Sequence, residues 1–129
     1  MREPTAAELE LYEQARAVAA NAYVPYSRFA VGAALQTSGG PVVTGVNVEN
    51  ASFGVTNCAE RTAVFAAVAG GHREFDAIAV YADAASCPPC GVCRQVLAEF
   101  APELPVVFRR GGQVVAMPLD ELLPERFAL

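Results

Sequence analysis

Two short cysteine clusters constrain this chain more than any other feature. Cys58-Ala59-Glu60-Arg61 opens one apolar helical run, and Pro89-Cys90-Gly91-Val92-Cys93 opens another. Between them Ala77 to Tyr81 is continuously apolar and short, as in a strand covered on both faces. If the clusters share one ion, the fold must bring two helix N-termini together. Three thiolates with one open position make a catalytic zinc site, and Glu60 stands where a carboxylate can move protons for a metal-activated water.

The remaining segments fill in around this pair. Thr5-Ala6-Ala7-Glu8 has the form of a capping box. Leu9, Tyr12, Ala15, Ala19, Ala22 and Tyr23 recur at helical spacing, which predicts a helix from Ala6 to Ala22, stopped by Pro25. Phe29 to Gln36 and Val42 to Val48 flank the turn residues Ser38-Gly39-Gly40-Pro41, a hairpin signal. Gly32 weakens the first of these strands unless a backbone or a ligand approaches it closely. Asn47 and Glu49 share a face at the end of the second strand, either as a solvated end or as two polar groups aimed at one ligand.

The helix that follows Cys58 runs to Val68 and closes at Gly70-Gly71; being apolar nearly all round, it is expected to be buried. The second cysteine helix spans Gly91 to Phe100. Val106-Val107-Phe108 and Val114-Val115-Ala116 then flank Arg109 to Gln113 as a second hairpin, and Asp120 to Leu123 makes one helical turn. This order predicts a single α/β domain over residues 1–129. It is a three-layer α/β/α arrangement with a five-stranded mixed sheet whose last two strands are antiparallel. The third and fourth strands are joined by a right-handed crossover.

Composition narrows the function. The net charge is −5 with no basic stripe, which argues against a nucleic-acid partner. No run reaches the roughly 20 apolar residues of a membrane helix. Met1-Arg2-Glu3-Pro4 lacks a signal-peptide pattern, so the expected location is cytoplasmic, and the four cysteines point to metal or catalysis before disulfides. An apolar content of 53% is high for 129 residues and predicts that other copies of the chain cover part of the surface. The one histidine, His72, lies in a loop-like Gly70-Gly71-His72-Arg73 and reads as a surface residue, which leaves no paired-histidine metal motif.

The cysteine count admits more than one reading. Cys87-x-x-Cys90-x-x-Cys93 also has the form of part of an iron–sulfur run, and all four cysteines could close a structural zinc site. Neither uses a glutamate buried beside the first ligand. The preferred set is therefore Cys58, Cys90 and Cys93, with Cys87 outside it. Helix N-termini favour thiolates, and Arg61 is placed to balance their charge by hydrogen-bonding the ligand sulfurs.

At these residues the chain resembles the zinc-dependent nucleoside deaminases, specifically the small homotetrameric cytidine deaminases. The likeness is carried by Pro25-Tyr26-Ser27-Arg28-Phe29-Ala30-Val31-Gly32-Ala33-Ala34-Leu35 and Asn47-Val48-Glu49-Asn50-Ala51. Cys58-Ala59-Glu60-Arg61-Thr62-Ala63, Pro89-Cys90-Gly91-Val92-Cys93-Arg94-Gln95 and Glu121 to Phe127 carry it further. The resemblance implies one Zn2+ per subunit held by Cys58, Cys90 and Cys93, with Glu60 as proton shuttle. It implies hydrolysis of cytidine and deoxycytidine to uridine and deoxyuridine in pyrimidine salvage, a zinc-activated water attacking the amine-bearing ring carbon. Asn47 and Glu49 would bind ribose hydroxyls, Phe29 would pack on the base, and Ala59 would join the substrate-binding positions. Phe53 and Phe127 would be contributed by neighbouring subunits of a homotetramer, unless these three phenylalanines are ordinary core. Phe53 stands where many relatives have tyrosine. A deaminase for an antibiotic such as blasticidin S, or a zinc or iron–sulfur module without activity, are the alternatives.

Overall fold

The computed structural model describes all residues 1–129. Its elements are α1 (Ala6–Val18), β1 (Val31–Thr37), β2 (Val42–Val46), α2 (Ala59–Ala69), β3 (Phe75–Ala82), α3 (Gly91–Phe100), β4 (Pro105–Arg110), β5 (Gln113–Pro118) and the single turn α4 (Leu119–Leu122). The strands form one mixed sheet in the order β2-β1-β3-β4-β5. β3 and β4 are parallel and every other neighbouring pair is antiparallel. This is the expected five-stranded arrangement, including the final hairpin, whose Gly111 and Gly112 at φ 59° and 82° supply the left-handed turn that two-residue connections favour.

Two apolar layers flank the sheet. Val64, Leu97, Leu35, Ile78, Val106 and Leu119 belong to the larger one, under α2, α3 and α4. Leu11, Tyr12, Ala15, Ala34, Ala79 and Val107 form the smaller one, under α1. Alternate residues of β1 and β3 face opposite layers, which is why those strands read as unbroken apolar runs. α1 starts with the capping box: Glu8 N donates to Thr5 Oγ1 at 3.1 Å and Thr5 N donates to Glu8 Oε1 at 2.8 Å.

Four local expectations change. α1 stops at Val18 and tightens into a 3-10 turn over Ala19–Asn21, short of Ala22. Tyr23 is needed elsewhere: its N–H donates to Asn47 O at 3.1 Å and its carbonyl accepts from Glu49 N at 2.9 Å. Leu9 is exposed, and Leu11 takes the core position instead. β1 begins at Val31 instead of Phe29, and β2 ends at Val46 instead of Val48. Finally, α2 is not buried all round, since Phe65 and Ala66 face outward. Gly32 does meet a backbone: a Cβ there would lie 2.0 Å from the Ala15 carbonyl oxygen. Gly45 plays the same part under α2, where a Cβ would lie 2.5 Å from the Ala59 carbonyl oxygen.

Candidate active site

The two cysteine helices lie on the same face of the sheet and meet at their N-termini. Cys58 caps α2 and Cys90 caps α3, each in extended backbone, so both sulfurs project from the positive ends of helices. The Sγ atoms of Cys58, Cys90 and Cys93 all lie within 4.8 Å of one another. A tetrahedral zinc with Zn–S bonds of about 2.3 Å sets its sulfurs about 3.8 Å apart, so the cluster accepts the ion with small adjustments. Three sulfur donors suit zinc and leave a fourth position for another ligand.

Cys87 does not join the cluster. Its N–H donates to Arg109 O at 3.0 Å, and its side chain packs against the larger apolar layer. Burial pushes its thiol up to about 11, helped by the nearby Glu60 charge. The iron–sulfur run and the closed four-cysteine site both require Cys87 among the ligands, so both fail on this geometry.

Charge around the sulfurs is arranged for thiolate. The Cys58 thiol is drawn down to about 5, first by a hydrogen bond with Cys93 and then by Arg61. The same contact, together with burial, pushes the Cys93 thiol up. Arg61 Nη2 donates to Cys58 Sγ at 2.9 Å, while Arg61 Nε is buried without a partner. Glu60 follows Cys58 in the first turn of α2 and is only 5% exposed. Burial is the main reason its carboxyl is pushed above the usual range.

Asn47 and Glu49 reach this region through Val48, whose antiparallel bridge to Asn57 runs them alongside the approach to Cys58. Both side chains grip the segment that carries Phe29. Asn47 Oδ1 accepts from Val31 N at 2.9 Å, and Asn47 Nδ2 donates to Phe29 O at 2.8 Å. Glu49 Oε1 accepts from Tyr26 N and Ser27 N, both at 3.0 Å, and Glu49 Oε2 accepts from the Ser27 hydroxyl. Those bonds, the Ser27 hydroxyl foremost, hold the Glu49 carboxyl below the usual carboxylate range.

The three phenylalanines are not core. Phe29 is 43% exposed, Phe53 75% and Phe127 70%, which removes the ordinary-core reading for all three. Phe53 packs edge-on against Tyr26 with ring centroids 5.9 Å apart. It lines a surface depression of about 410 Å³ together with Tyr26, Ser27, Glu49 and Thr56. The Phe127 carbonyl accepts from Gln95 Nε2 at 3.0 Å. Ala59 is fully buried, its methyl in the larger apolar layer.

Sequence reasoning passed over Arg94, which joins the cysteine loop to the chain end. Its Nε donates to Pro89 O and its Nη1 to Leu122 O, each at 2.7 Å. Ser27, whose hydroxyl donates to Glu49, is a second residue that local sequence does not single out. An arginine directly after a Cys-x-x-Cys, and a serine two residues before an aromatic, were the available signals.

Comparison with known proteins agrees with the geometry. The pattern of the cytidine and deoxycytidylate deaminase zinc-binding region matches residues 6–108. A cytidine deaminase from Halalkalibacterium halodurans is 53% identical over 109 residues, covering 82% of this chain and 83% of that protein. The crystal structure of a cytidine deaminase from Burkholderia pseudomallei superposes with a TM-score of 0.87 at 50% identity, covering 92% of this chain and 98% of that one. A blasticidin-S deaminase from Bacillus cereus is more distant, 33% identical over 106 residues, covering 75% of this chain and 76% of that protein. With its three sulfurs converged and its sequence matched over that whole region, this chain belongs to the cytidine and deoxycytidylate deaminase family.

Proposed function

We propose that this chain, one domain over residues 1–129, is a zinc-dependent hydrolase that deaminates cytidine and deoxycytidine to uridine and deoxyuridine. The observation that carries the reading is the convergence of the Cys58, Cys90 and Cys93 sulfurs beside a buried Glu60. The three cysteines would hold the ion. Zinc in such a site acts as a Lewis acid and lowers the pKa of a water to about 7. Glu60 takes a proton from the attacking water and passes it to the ring nitrogen; it then takes the second proton, from the hydroxyl now on the ring carbon, and delivers it to the amine, which leaves as ammonia. Burial raises its proton affinity, which suits it to accept the water's proton. Arg61 balances the thiolate charge through its contact with Cys58.

Asn47 and Glu49 are the groups we assign to the sugar hydroxyls, and Phe29 to the base. Each keeps capacity for this beyond the bonds it already makes, since a carboxylate accepts about four hydrogen bonds and an amide nitrogen donates two. Ala59, at the first position of α2, has a backbone N–H with no partner inside the helix and is assigned to the substrate through it.

A second copy would complete the site. Phe53, Val55, Phe65, Val92 and Phe127 are all more than half exposed, which supports burial between subunits. A homotetramer sharing Phe53 and Phe127 across its sites is the assembly proposed, to be measured by light scattering. The chain's cysteine chemistry supports a cytoplasmic location; no helix is long and apolar enough to cross a membrane.

The decisive test is an ultraviolet assay on cytidine, with and without a chelator, alongside zinc analysis. Turnover that is lost to the chelator and restored by zinc is expected. Zinc-loaded protein with no turnover on cytidine or deoxycytidine would end the reading. The 33% identical blasticidin-S deaminase makes that antibiotic the second substrate to try, with ammonia release as the common readout.

A further inference from the structure

Ser27 occupies the junction between the Glu49 carboxylate and the Phe29 backbone. Its hydroxyl donates to Glu49 Oε2, and the same oxygen accepts from Phe29 N at 3.0 Å. Its own N–H donates to Glu49 Oε1 at 3.0 Å. One small side chain therefore connects the carboxylate assigned to the sugar with the ring assigned to the base. The backbone between them is held in an unfavourable shape: Arg28 has φ 58°, in the left-handed region that a long side chain rarely adopts. Such a conformation persists only when neighbouring bonds over-determine it. Here Ser27 on one side and Asn47, gripping Phe29 O and Val31 N, on the other supply them.

We propose that Ser27 is a positioning residue of the substrate site, orienting Glu49 and fixing the backbone that presents Phe29, without touching the reacting atoms. The inference rests on the nucleoside reading of Glu49 and Phe29. Its consequence is a defect in substrate binding with the chemical step and the metal left intact. Ser27 is exposed, so a threonine methyl has room, and Thr keeps the hydroxyl.

The test compares S27A, S27T, E49A and the S27A/E49A double variant as zinc-loaded enzymes, using cytidine, deoxycytidine and 2′,3′-dideoxycytidine. S27A should raise KM for cytidine about tenfold, the worth of one hydrogen bond to a charged group, with kcat within about twofold. S27T should restore KM, and the KM defect of S27A/E49A should fall short of the product of the two single defects. Zinc content should be unchanged throughout. If S27A is poorly soluble, S27C, with a weak donor of similar size, reads the same KM-to-kcat split. An unchanged KM, a fall in kcat alone, or full additivity with E49A would each overturn the proposal. The dideoxy substrate separates the two readings. Equal turnover of deoxycytidine and its 3′-deoxy analogue by the unmodified enzyme would remove Glu49 from the sugar. The S27A effect on KM through Phe29 would still be readable in that case.

Discussion

The Arg61 guanidinium donates to the Cys58 sulfur across 2.9 Å, from the next position but two on the same helix. It is the one cation in contact with a cluster of three thiols, and that contact raises the guanidinium's own proton affinity. Groups that hydrogen-bond metal ligands commonly change metal affinity by about 10–100-fold when removed. Arg61→Gln is therefore expected to weaken zinc binding by about tenfold or more, measured by competition with a coloured chelator. An affinity equal to that of the unmodified protein would show that the contact does not stabilise the loaded site.

Glu60 is expected to separate chemistry from structure. Glu60→Gln preserves shape and removes the exchangeable proton. Zinc content and melting temperature should stay close to those of the parent. kcat on cytidine should fall by at least about 10³-fold, within the range general acid–base catalysis supplies. Substantial turnover in a zinc-replete variant would remove Glu60 from the proposed mechanism.

Gly45 and Gly32 provide a matched pair on opposite faces of the sheet. A methyl at Gly45 would strike Ala59 O and Ala63 N, both 2.5 Å from its position, directly behind Cys58 and Glu60. A methyl at Gly32 would strike Ala15 O of α1 instead. Both alanine variants should lose about 3 kcal/mol or more in urea denaturation, since overpacking against rigid backbone cannot relax. Only Gly45→Ala should also lose zinc affinity markedly. Equal zinc affinities in the two variants would contradict the view that the seat of α2 sets the metal site.

The Arg2–Glu8 pair predicts a pH dependence away from the active site. Arg2 Nη1 and Nη2 meet Glu8 Oε1 and Oε2 at 2.6 and 2.9 Å. The guanidinium is the main reason the Glu8 carboxyl is held below its usual range. A depressed folded-state pKa contributes stability that is complete above the unfolded value, about 4.3, and is lost as pH falls through the folded one. Glu8→Gln keeps a capping-box residue but loses the charge. The parent should therefore melt above this variant at neutral pH, with the gap closing below about pH 4. A gap independent of pH would assign the effect to the cap alone.

Much of this protein was legible from residue order. Local rules placed the helices, both hairpins and the helix-capping cysteines, because caps, turns and apolar periodicity act over a few residues. The spacing of Cys58, Glu60, Cys90 and Cys93 also named the metal chemistry, since two helix starts joined by one strand and a crossover have few ways to meet. What lay beyond sequence was set by contacts between distant segments. Only packing shows Cys87 turned into the apolar layer instead of toward the other sulfurs. Only packing shows Tyr23 drawn out of its helix to pair beside Val48, or Phe65 left facing outward on α2. The grip of Asn47 and Glu49 on the Phe29 segment also arises there: their partners, from Tyr26 to Val31, lie about twenty residues earlier in the chain. Hydrogen bonds of that kind leave no periodic trace, because they depend on where two strand ends stop, and the fold as a whole decides that.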